Sequence, residues 1–455
     1  MKTDIVVFGA TGNLMYKKLL PAFASLVKKG HLNTDSRIVC VGRRPLSTEK
    51  YLELARSEVK VTMDWTLLSP FIQYFAMDLN QRKGYEMLAK NLKQNRAKKR
   101  IFYLAIAPEL FGDVAQELNA SNLVVKGNPL HKVVFEKPFG EDLASAKAIN
   151  AMLWQYFEEK QIFRVDHYLG KEMIQNIMVM RFANRLFEQG WHHQAIEKVT
   201  IIAKESEGVM NRGGYYDSVG ALKDMVQSHL LQMAALIAME PPTSFDVEGI
   251  RDQKVEVIKK LRFDEKVILF GQYDGYKNEK NIDPKSITDT FVCLKATFDT
   301  TRWTGVPFYF ITGKKLNTKV TEIIIDFKKG HHQDALYPDQ VLLSNRLIIN
   351  VTPDEGVEFR MNIKRPGLSN KIRPVDMNRC YDCDLGGNSP EAYERIIVDL
   401  LEGNPTLFTR WDEIESAWKL IDDVQKYRQI PYIYHSTDEL KSTISLMDKE
   451  AVSYL

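Results

Sequence analysis

The apolar residues in the first third of the chain fall into short runs separated by amphipathic segments. The apolar runs cover residues 5–8, 37–41, 100–104 and 133–135. Segments with the spacing of helices lie between and after them, such as residues 109–118 and 143–157. Residues 13–29 are also amphipathic, and Pro21 is expected to kink that helix. Buried strands that alternate with helices predict a doubly wound parallel sheet with helices on both faces.

After about residue 165 the strands become longer and the helices fewer. Residues 170–187 and 221–239 keep a helical pattern. The strands predicted between and after them cover residues 198–204, 290–298, 322–327, 347–351 and 357–364. Helical patterns return in residues 392–401 and 413–426. This pattern predicts an α+β domain built on a large, mostly antiparallel sheet.

The length of the chain supports a division into two domains. A single hydrophobic core rarely extends beyond about 300 residues, and this chain has 455. We place the boundary where the pattern changes, with a Rossmann-like domain over residues 1–165 and the α+β domain over residues 166–455.

Composition and charge narrow the class of protein. The chain is 44% hydrophobic and 27% charged, which is ordinary for a globular enzyme. A net charge of +3 is too small to indicate a nucleic-acid partner. No apolar stretch reaches membrane-spanning length, and no signal-peptide pattern opens the chain. We therefore expect a cytoplasmic globular protein with neither a membrane nor a nucleic acid as partner.

Cysteine usage is consistent with that location. Four cysteines in a chain of this length indicate a reducing compartment. Cys380 and Cys383 form a lone CxxC without a second pair or a histidine cluster, so free thiols are favoured over a zinc site. We expect no metal.

A glycine turn follows the first predicted strand and opens a helix. Its residues are Gly9, Ala10, Thr11, Gly12, Asn13 and Leu14. Gly9 permits a tight turn, and Gly12 lets the backbone approach a pyrophosphate at the helix N-terminus. A tight turn with Asn13 as the helix cap explains these residues almost as well. The position after a buried strand favours a dinucleotide site.

Two arginines follow the second predicted strand. Folds that bind NAD usually place an acidic residue here for the ribose hydroxyls, whereas arginine can bind a 2′-phosphate. Arg43 and Arg44 therefore favour NADP as coenzyme, with NAD as a weaker alternative. Two solvated surface arginines are the competing explanation.

Lys137 lies just past another predicted strand, in the string Glu136-Lys137-Pro138-Phe139-Gly140. Open α/β sheets bind ligands at this carboxyl edge. Pro138 stiffens the backbone, and the bond before it is a candidate for the cis form. A solvated lysine in an ordinary turn is an equally good interpretation from the local sequence.

Residues 164–172, RVDHYLGKE, concentrate more polar groups than structural segments usually do. The string contains two cations, two carboxylates, an imidazole and a phenol directly before a helical pattern. A carboxylate beside an imidazole suits proton transfer, and a lysine at a helix start suits an anionic ligand.

Asp224 and His229 lie on a second predicted helix. Oxidation of an alcohol by hydride transfer needs a base of near-neutral pKa, and a carboxylate such as Asp166 could orient it. A packed, hydrogen-bonded histidine is the commoner meaning of such a residue. Positions five apart also diverge by roughly 140° on a regular helix. The two side chains can share a ligand only across the helix or at a bulge.

A third cationic segment contains Lys314, Lys315 and Lys319 after an apolar run. A basic loop tip is the commoner meaning of such a cluster. Ammonium groups also suit a phosphate as point charges.

Strings along nearly the whole chain resemble the glucose-6-phosphate dehydrogenase family. They are GATGNLMYKKLLP, EKPFG, RVDHYLGKE, MRFANRLF, RGGYYDSVGALKDMVQSHLLQM, RWTGVPFYFITGKKL and SPEAYERIIVDLLEGNPTLFTRWDEIESAW. The resemblance implies a Rossmann-like coenzyme domain and an α+β domain whose sheet commonly mediates dimerisation, as a homodimer or dimer of dimers. It implies oxidation of glucose 6-phosphate at C1 to 6-phospho-D-glucono-1,5-lactone with NADP, the first step of the oxidative pentose phosphate pathway.

The resemblance also implies roles for individual residues. His229 would be the general base and Asp166 would orient it. The 6-phosphate would be held by His167, Tyr168 and Lys171. Sugar hydroxyls would be bound by Glu205 and Asp224, with Lys314 and Lys319 closing the pocket. Lys18 and Lys137 would lie between coenzyme and sugar, and Arg43 and Arg44 would face the 2′-phosphate.

The chain departs from the family pattern at three places. Asn13 replaces an aspartate, Met210-Asn211 replaces an acidic residue and glycine, and Phe111 replaces a tyrosine that often contacts the coenzyme. These changes affect coenzyme affinity rather than the reacting groups. A related dehydrogenase for another sugar phosphate and a catalytically silent paralogue are the competing functions. A silent paralogue would be expected to lose the base or its carboxylate, and both are present.

Overall fold

The computed structural model describes residues 1–95, 97–244, 246–330, 332–380 and 391–455. The chain forms two compact units. One comprises Met1–Gly170 and Pro390–Glu415, and the other comprises Lys171–Ser389 and Ser416–Leu455. The boundary predicted between residues 165 and 166 remains a prediction.

Each unit is built around a β-sheet. Their bounds are β1 (Thr3–Phe8), β2 (Arg37–Gly42), β3 (Ile72–Ala76), β4 (Lys99–Leu104), β5 (His131–Phe135), β6 (Ile162–Val165), β7 (Ile196–Lys204), β8 (Leu261–Tyr273), β9 (Phe291–Phe298), β10 (Phe308–Gly313), β11 (Val320–Phe327), β12 (Arg346–Thr352), β13 (Gly356–Lys364), β14 (Ile372–Cys380), β15 (Phe408–Thr409) and β16 (Tyr432–Tyr434).

The α-helices connect and cover these strands. They are α1 (Leu20–Lys28), α2 (Thr48–Glu58), α3 (Trp65–Leu68), α4 (Arg82–Asn95), α5 (Phe111–Ala120), α6 (Leu143–Tyr156), α7 (Glu172–Ala183), α8 (Arg185–Gly190), α9 (Gly213–Ala221), α10 (Leu231–Ala238), α11 (Val247–Lys259), α12 (Gln333–Leu336), α13 (Ala392–Glu402), α14 (Trp411–Gln425) and α15 (Thr437–Met447). Met15–Leu19 and Leu222–Leu230 are π-helical.

The first unit is a doubly wound parallel sheet, as the sequence predicts. Its seven strands run in the order β15-β6-β5-β4-β1-β2-β3, and all adjacent pairs are parallel except β15 with β6. Every residue of β1 and β5 is buried, because helices cover both faces of such a sheet. The connection reverses between β1 and β4, and ligands bind outside the carboxyl ends of strands at such a point.

The second unit is built on a nine-stranded sheet, in the order β14-β13-β12-β11-β7-β10-β9-β8-β16. Its adjacent strands are antiparallel except β7 with β10 and β8 with β16. The large, mostly antiparallel sheet predicted from the sequence is therefore confirmed. Buried positions alternate along β12, as expected for a strand with one covered face.

The segment around Pro21 differs in detail from the predicted kinked helix. The π-helical turns of Met15–Leu19 pass directly into α1, and Pro21 lies in the first turn of α1. Proline is tolerated there because its missing N–H lies where the helix register changes.

The cysteines only partly match the expectation of free thiols. Cys40 and Cys293 are free and buried. Cys380 is disulfide-bonded, so the prediction of a free thiol is wrong at that position. Cys383 lies outside the described residues. Among the helices of the described residues, none is both long and apolar enough to span a membrane.

Candidate active site

The glycine turn of the first unit is fixed by backbone contacts. Gly9 N–H and Ala10 N–H both donate to Val41 O, at 3.1 and 3.0 Å, and Gly12 N–H donates to Gly9 O at 2.9 Å. Gly9 has a φ of +88°, and a Cβ there would lie 2.1 Å from Ala105 O. Only glycine allows this close approach of strand and loop. The turn therefore has no side chain at Gly9, and it lies where the strand order of the sheet reverses.

Asn13 does not cap this helix in the structure. Its side chain is exposed and makes no hydrogen bond with the described residues. The structure therefore does not support the explanation of the glycine turn by an Asn13 cap. Lys18 lies on the π-helical turns that follow and forms an exposed ion pair with Glu391 at 3.1 Å.

Arg43 and Arg44 are exposed immediately after β2. Among the described residues neither guanidinium has an ion-pair partner. The Arg44 carbonyl accepts a hydrogen bond from Tyr74 Oη at 2.9 Å, which fixes the backbone. Both cationic groups are therefore available to an anionic ligand.

Lys137 follows β5, and the Lys137–Pro138 peptide bond is cis. The preceding Glu136 accepts hydrogen bonds on Oε1 from Tyr103 Oη at 2.5 Å and from Tyr393 Oη at 3.3 Å. Burial raises the pKa of the Glu136 carboxyl to about 7, although both hydroxyls and the Lys137 ammonium favour the charged form. Glu136 thus titrates close to neutral pH.

The polar string that starts in β6 divides into structural and accessible groups. Arg164 is structural, because its guanidinium binds both oxygens of Glu159, at 2.6 and 3.0 Å, and lies 4.8 Å from the Phe139 ring centre. Asp166 is buried, and its Oδ1 accepts a hydrogen bond from Tyr168 N–H at 2.9 Å.

His167 and Tyr168 follow Asp166 on a tight turn and are half-buried. The His167 ring centre lies 5.0 Å from that of Tyr168 and stacks on Tyr393 at 6.3 Å. The string therefore places an imidazole and a phenol side by side at the carboxyl end of β6. Lys171, in the second unit, is the residue before α7 and is half-buried.

Asp224 and His229 lie on the π-helical segment Leu222–Leu230 of the second unit. A π-helix joins residue i to residue i+5 and has more residues per turn than an α-helix, so side chains five apart diverge less than they would on a regular helix. The divergence expected on a regular helix is thereby reduced. His229 is 1% exposed, and Asp224 is half-buried.

Glu205 and Lys314 meet at the ends of β7 and β10. Their side chains form an ion pair, and the Lys314 ammonium lies 4.9 Å from the Tyr216 ring centre. Glu205 N–H donates to Gly313 O at 2.9 Å, which fixes the two strand ends together. Lys319 lies farther along the same loop and is exposed.

Sequence reasoning assigned no role to several neighbours of these residues. They are Tyr103, Glu136, Tyr216, Asp289 and Tyr393. Glu136 was visible only as part of the string around Lys137. Tyr393 comes from α13, 257 residues after Glu136, so no local pattern connects them.

The first unit is Rossmann-like with a glycine turn, and the second is an α+β unit with a carboxylate and an imidazole on one helical segment. Together these features define the class of two-domain nicotinamide-dependent dehydrogenases. Comparisons with known proteins specify the family. Residues 6–176 match the model "Glucose-6-phosphate dehydrogenase, NAD binding domain", and residues 178–454 match "Glucose-6-phosphate dehydrogenase, C-terminal domain". The chain belongs to the glucose-6-phosphate dehydrogenase family.

Individual relatives are similar over almost their full length. Glucose-6-phosphate 1-dehydrogenase of Bacillus subtilis (strain 168) is 39% identical over 448 residues, covering 93% of this chain and 91% of the relative. The enzyme of Rhizobium meliloti (strain 1021) is 37% identical, covering 93% and 90%. A solved glucose-6-phosphate dehydrogenase in complex with its substrate glucose 6-phosphate has a TM-score of 0.90 at 34% identity, covering 98% of this chain and 97% of the other.

Proposed function

We propose that this chain oxidises D-glucose 6-phosphate at C1 to 6-phospho-D-glucono-1,5-lactone, with NADP as hydride acceptor. The observation that carries the proposal is the family match, which extends through both domains. A substrate complex of a relative with the same fold supports the choice of sugar phosphate. The step opens the oxidative pentose phosphate pathway.

The proposed chemistry assigns the proton to the protein. His229 removes the proton of the C1 hydroxyl as the C1–H bond breaks, and the oxygen becomes the lactone carbonyl. Asp166 is proposed as the carboxylate that orients the base. The hydride leaves C1 for the nicotinamide, which is the chemistry that the coenzyme supplies when bound. The alcohol loses a hydride to the coenzyme and a proton to His229, which together are two electrons and two protons, so the reaction balances.

The remaining residues are proposed to bind the sugar phosphate. His167, Tyr168 and Lys171 would hold the 6-phosphate. Glu205 and Asp224 would bind hydroxyls, and the position of Glu205 beside Lys314 supports their shared role. The other proposed contacts are Lys314, Lys319, Lys137 and Lys18.

We propose that the first unit binds a nicotinamide dinucleotide at its glycine turn, and that two arginines make NADP the preferred coenzyme over NAD. The close approach at Gly9 shapes a tight turn at a helix start, where a pyrophosphate would bind, with Ala10, Thr11, Gly12, Asn13 and Leu14 completing the turn. Arg43 and Arg44 are exposed at the end of β2, where a 2′-phosphate would be bound. The turn fits either coenzyme, and the two arginines favour the one with the 2′-phosphate.

We also propose a homodimer or a dimer of dimers, which rests on the family resemblance of the large sheet. Sedimentation velocity at micromolar concentration would test this assembly. A single monomeric species would contradict it.

The decisive experiment is an assay of NADPH and NADH formation with the purified chain. The substrates are glucose 6-phosphate, glucose, and other hexose phosphates. Turnover that is fastest with glucose 6-phosphate and NADP is expected. Faster turnover of another sugar phosphate would favour the related dehydrogenase. No turnover with any pair, together with retained coenzyme binding, would favour the silent paralogue.

A further inference from the structure

The π-helical segment that carries Asp224 and His229 begins just after a kink in the helical backbone. Gly220, the penultimate residue of α9, has a φ of +70° and kinks the helix just before the segment. A Cβ at this glycine would lie 2.7 Å from Asp289 Oδ1. The carboxyl group of Asp289 therefore contacts the backbone directly where the segment starts.

Asp289 holds the first residues of the segment through two hydrogen bonds. Its Oδ2 accepts from Leu222 N–H at 2.8 Å, and its main-chain oxygen accepts from Ala221 N–H at 2.8 Å. The first amides of a helix lack partners within the helix, so an external acceptor fixes where its first turn begins. Asp289 is 0% exposed, which makes it a rigid point of attachment.

Arg428 compensates the charge of the buried Asp289 carboxylate. Its Nη2 forms an ion pair with Asp289 Oδ1, and its guanidinium lies 5.8 Å from the Phe270 ring centre. The arginine follows α14, far from the segment in sequence, and its side chain is 23% exposed. Removing one partner of a buried pair leaves the other charge uncompensated, so the two residues act together.

The two residues directly before β9, Asp289 and Thr290, also fix the backbone of Lys314. Thr290, next to Asp289, accepts a hydrogen bond on its main-chain oxygen from Lys314 N–H at 2.9 Å. Tyr434 Oη in turn donates to Lys314 O at 2.6 Å. Displacement of residues 289–290 would therefore move both the segment with the base and the lysine that pairs with Glu205.

We propose that Asp289 and Arg428 are positioning residues for the dehydrogenase reaction, because they fix the first turn of Leu222–Leu230 and with it the orientation of Asp224 and His229. The inference rests on the proposed function of that site. Both residues act through the backbone of the segment. A misplacement of about 1 Å can lower a rate on the order of 10²-fold.

The test compares Arg428→Met with wild type at a temperature well below both unfolding midpoints. We expect kcat to fall about tenfold or more, while the dissociation constant of NADP, which is measured separately by fluorescence, stays within about twofold. Arg428→Lys restores a cation and should recover most of kcat. Amide hydrogen exchange over residues 222–230 should accelerate in Arg428→Met, a readout that does not depend on turnover.

Arg346→Met is the matched control. Arg346 pairs with the buried Asp326 at 2.8 Å, and its side chain is 27% exposed. The substitution should lower the free energy of unfolding without changing kcat by more than about twofold, because the side-chain hydrogen bonds of Asp326 among the described residues do not involve the segment Leu222–Leu230. If Arg428→Met fails to fold, Gly220→Ala disturbs the same attachment without removing a charge and should lower kcat likewise.

An Arg428→Met enzyme with wild-type kcat and wild-type exchange over residues 222–230 would overturn the inference, as would an equal loss of kcat in Arg346→Met. Inactive wild type would instead overturn the proposed function, and the exchange experiment would still test the attachment.

Discussion

At the scale of single residues, backbone geometry makes Gly9 the position of the glycine turn that tolerates substitution least. Gly9→Ala combines a left-handed φ of +88° with a Cβ 2.1 Å from Ala105 O. We expect a loss of about 3 kcal/mol in the free energy of unfolding, from strain and overpacking together. Urea denaturation of the variant and of wild type measures this loss.

Gly30→Ala is the control for strain alone. Gly30 has a φ of +74°, but no atom lies within 4 Å of a Cβ placed there. Its expected loss is about 1 kcal/mol. Equal losses at the two positions would show that the close approach at Ala105 does not restrict the turn.

Glu136 is the residue whose ionisation should be visible in stability. Its pKa is raised from 4.5 to about 7, first by burial. Between these values the unfolded chain loses the proton while the folded chain keeps it, so stability falls as pH rises through this window. Glu136→Gln removes the effect. As the pH rises from 4.5 to 7, we expect the free energy of unfolding of the variant to increase by on the order of 2 kcal/mol relative to wild type. Above pH 7 the difference should stay constant.

The comparison with Glu136→Gln is needed because Asp399, in the same unit, has a pKa raised to about 6 by burial. Both proteins share that titration, so it cancels in the difference. Urea denaturation at several pH values gives the two curves. A difference that stays constant from pH 4.5 to 8 would contradict the shifted pKa of Glu136.

At the scale of elements, the π-helical register accounts for the spacing of Asp224 and His229. His229→Asn should lower kcat by about 10²- to 10⁴-fold, since a general base contributes that much. Binding of glucose 6-phosphate should persist, because asparagine is smaller and the neighbouring Asp224 is unchanged. Steady-state kinetics and calorimetric titration measure the two quantities.

His435→Asn makes the same chemical change at an exposed histidine of the same unit, with a side chain 64% exposed. It should leave kcat unchanged. Retained turnover in His229→Asn would reject the assignment of the base.

Sequence patterns predicted the elements better than their hydrogen-bond register. The predicted helix 143–157 is α6 at Leu143–Tyr156, and the predicted strand 357–364 is β13 at Gly356–Lys364. Apolar periodicity, however, does not distinguish an i+5 helix from an i+4 helix. Strand β8 was not predicted, because three consecutive charges at residues 264–266 interrupt its apolar pattern where its register shifts.

The candidate site was predictable where residues cluster along the chain. Asp166, His167 and Tyr168 stand together in one string, so their chemistry is visible in the sequence. Asp289 was missed because its significance depends on Arg428, 139 residues away. A buried charge shows its partner only after folding.

At the scale of the whole molecule, the two sequence patterns correspond to two different sheets. A short segment complicates that correspondence, because Pro390–Glu415 belongs to the first unit. It joins the parallel sheet through β15, where Phe408 pairs with Val165, and through an ion pair of Glu394 with Lys29 at 2.7 Å. A two-residue strand has no periodicity, so no pattern could have placed it.

Coenzyme preference should appear as stabilisation of the folded protein. A ligand at a hundred times its dissociation constant stabilises the native state by about 2.7 kcal/mol. At equal concentrations, NADP should therefore raise the unfolding midpoint of wild type more than NAD does. Arg43→Ala should reduce the rise with NADP and leave that with NAD almost unchanged, because NAD lacks the 2′-phosphate.

Arg56→Ala separates this effect from a general change of charge. Arg56 is exposed on the last turn of α2, and its guanidinium lies over the Trp65 ring. That turn lies at the end of the sheet opposite the glycine turn, because α2 runs back from the carboxyl end of β2. The control should therefore keep the wild-type difference between coenzymes. Equal losses for NADP and NAD in Arg43→Ala would mean that the arginine contributes only its charge, and the preference for NADP would need another source.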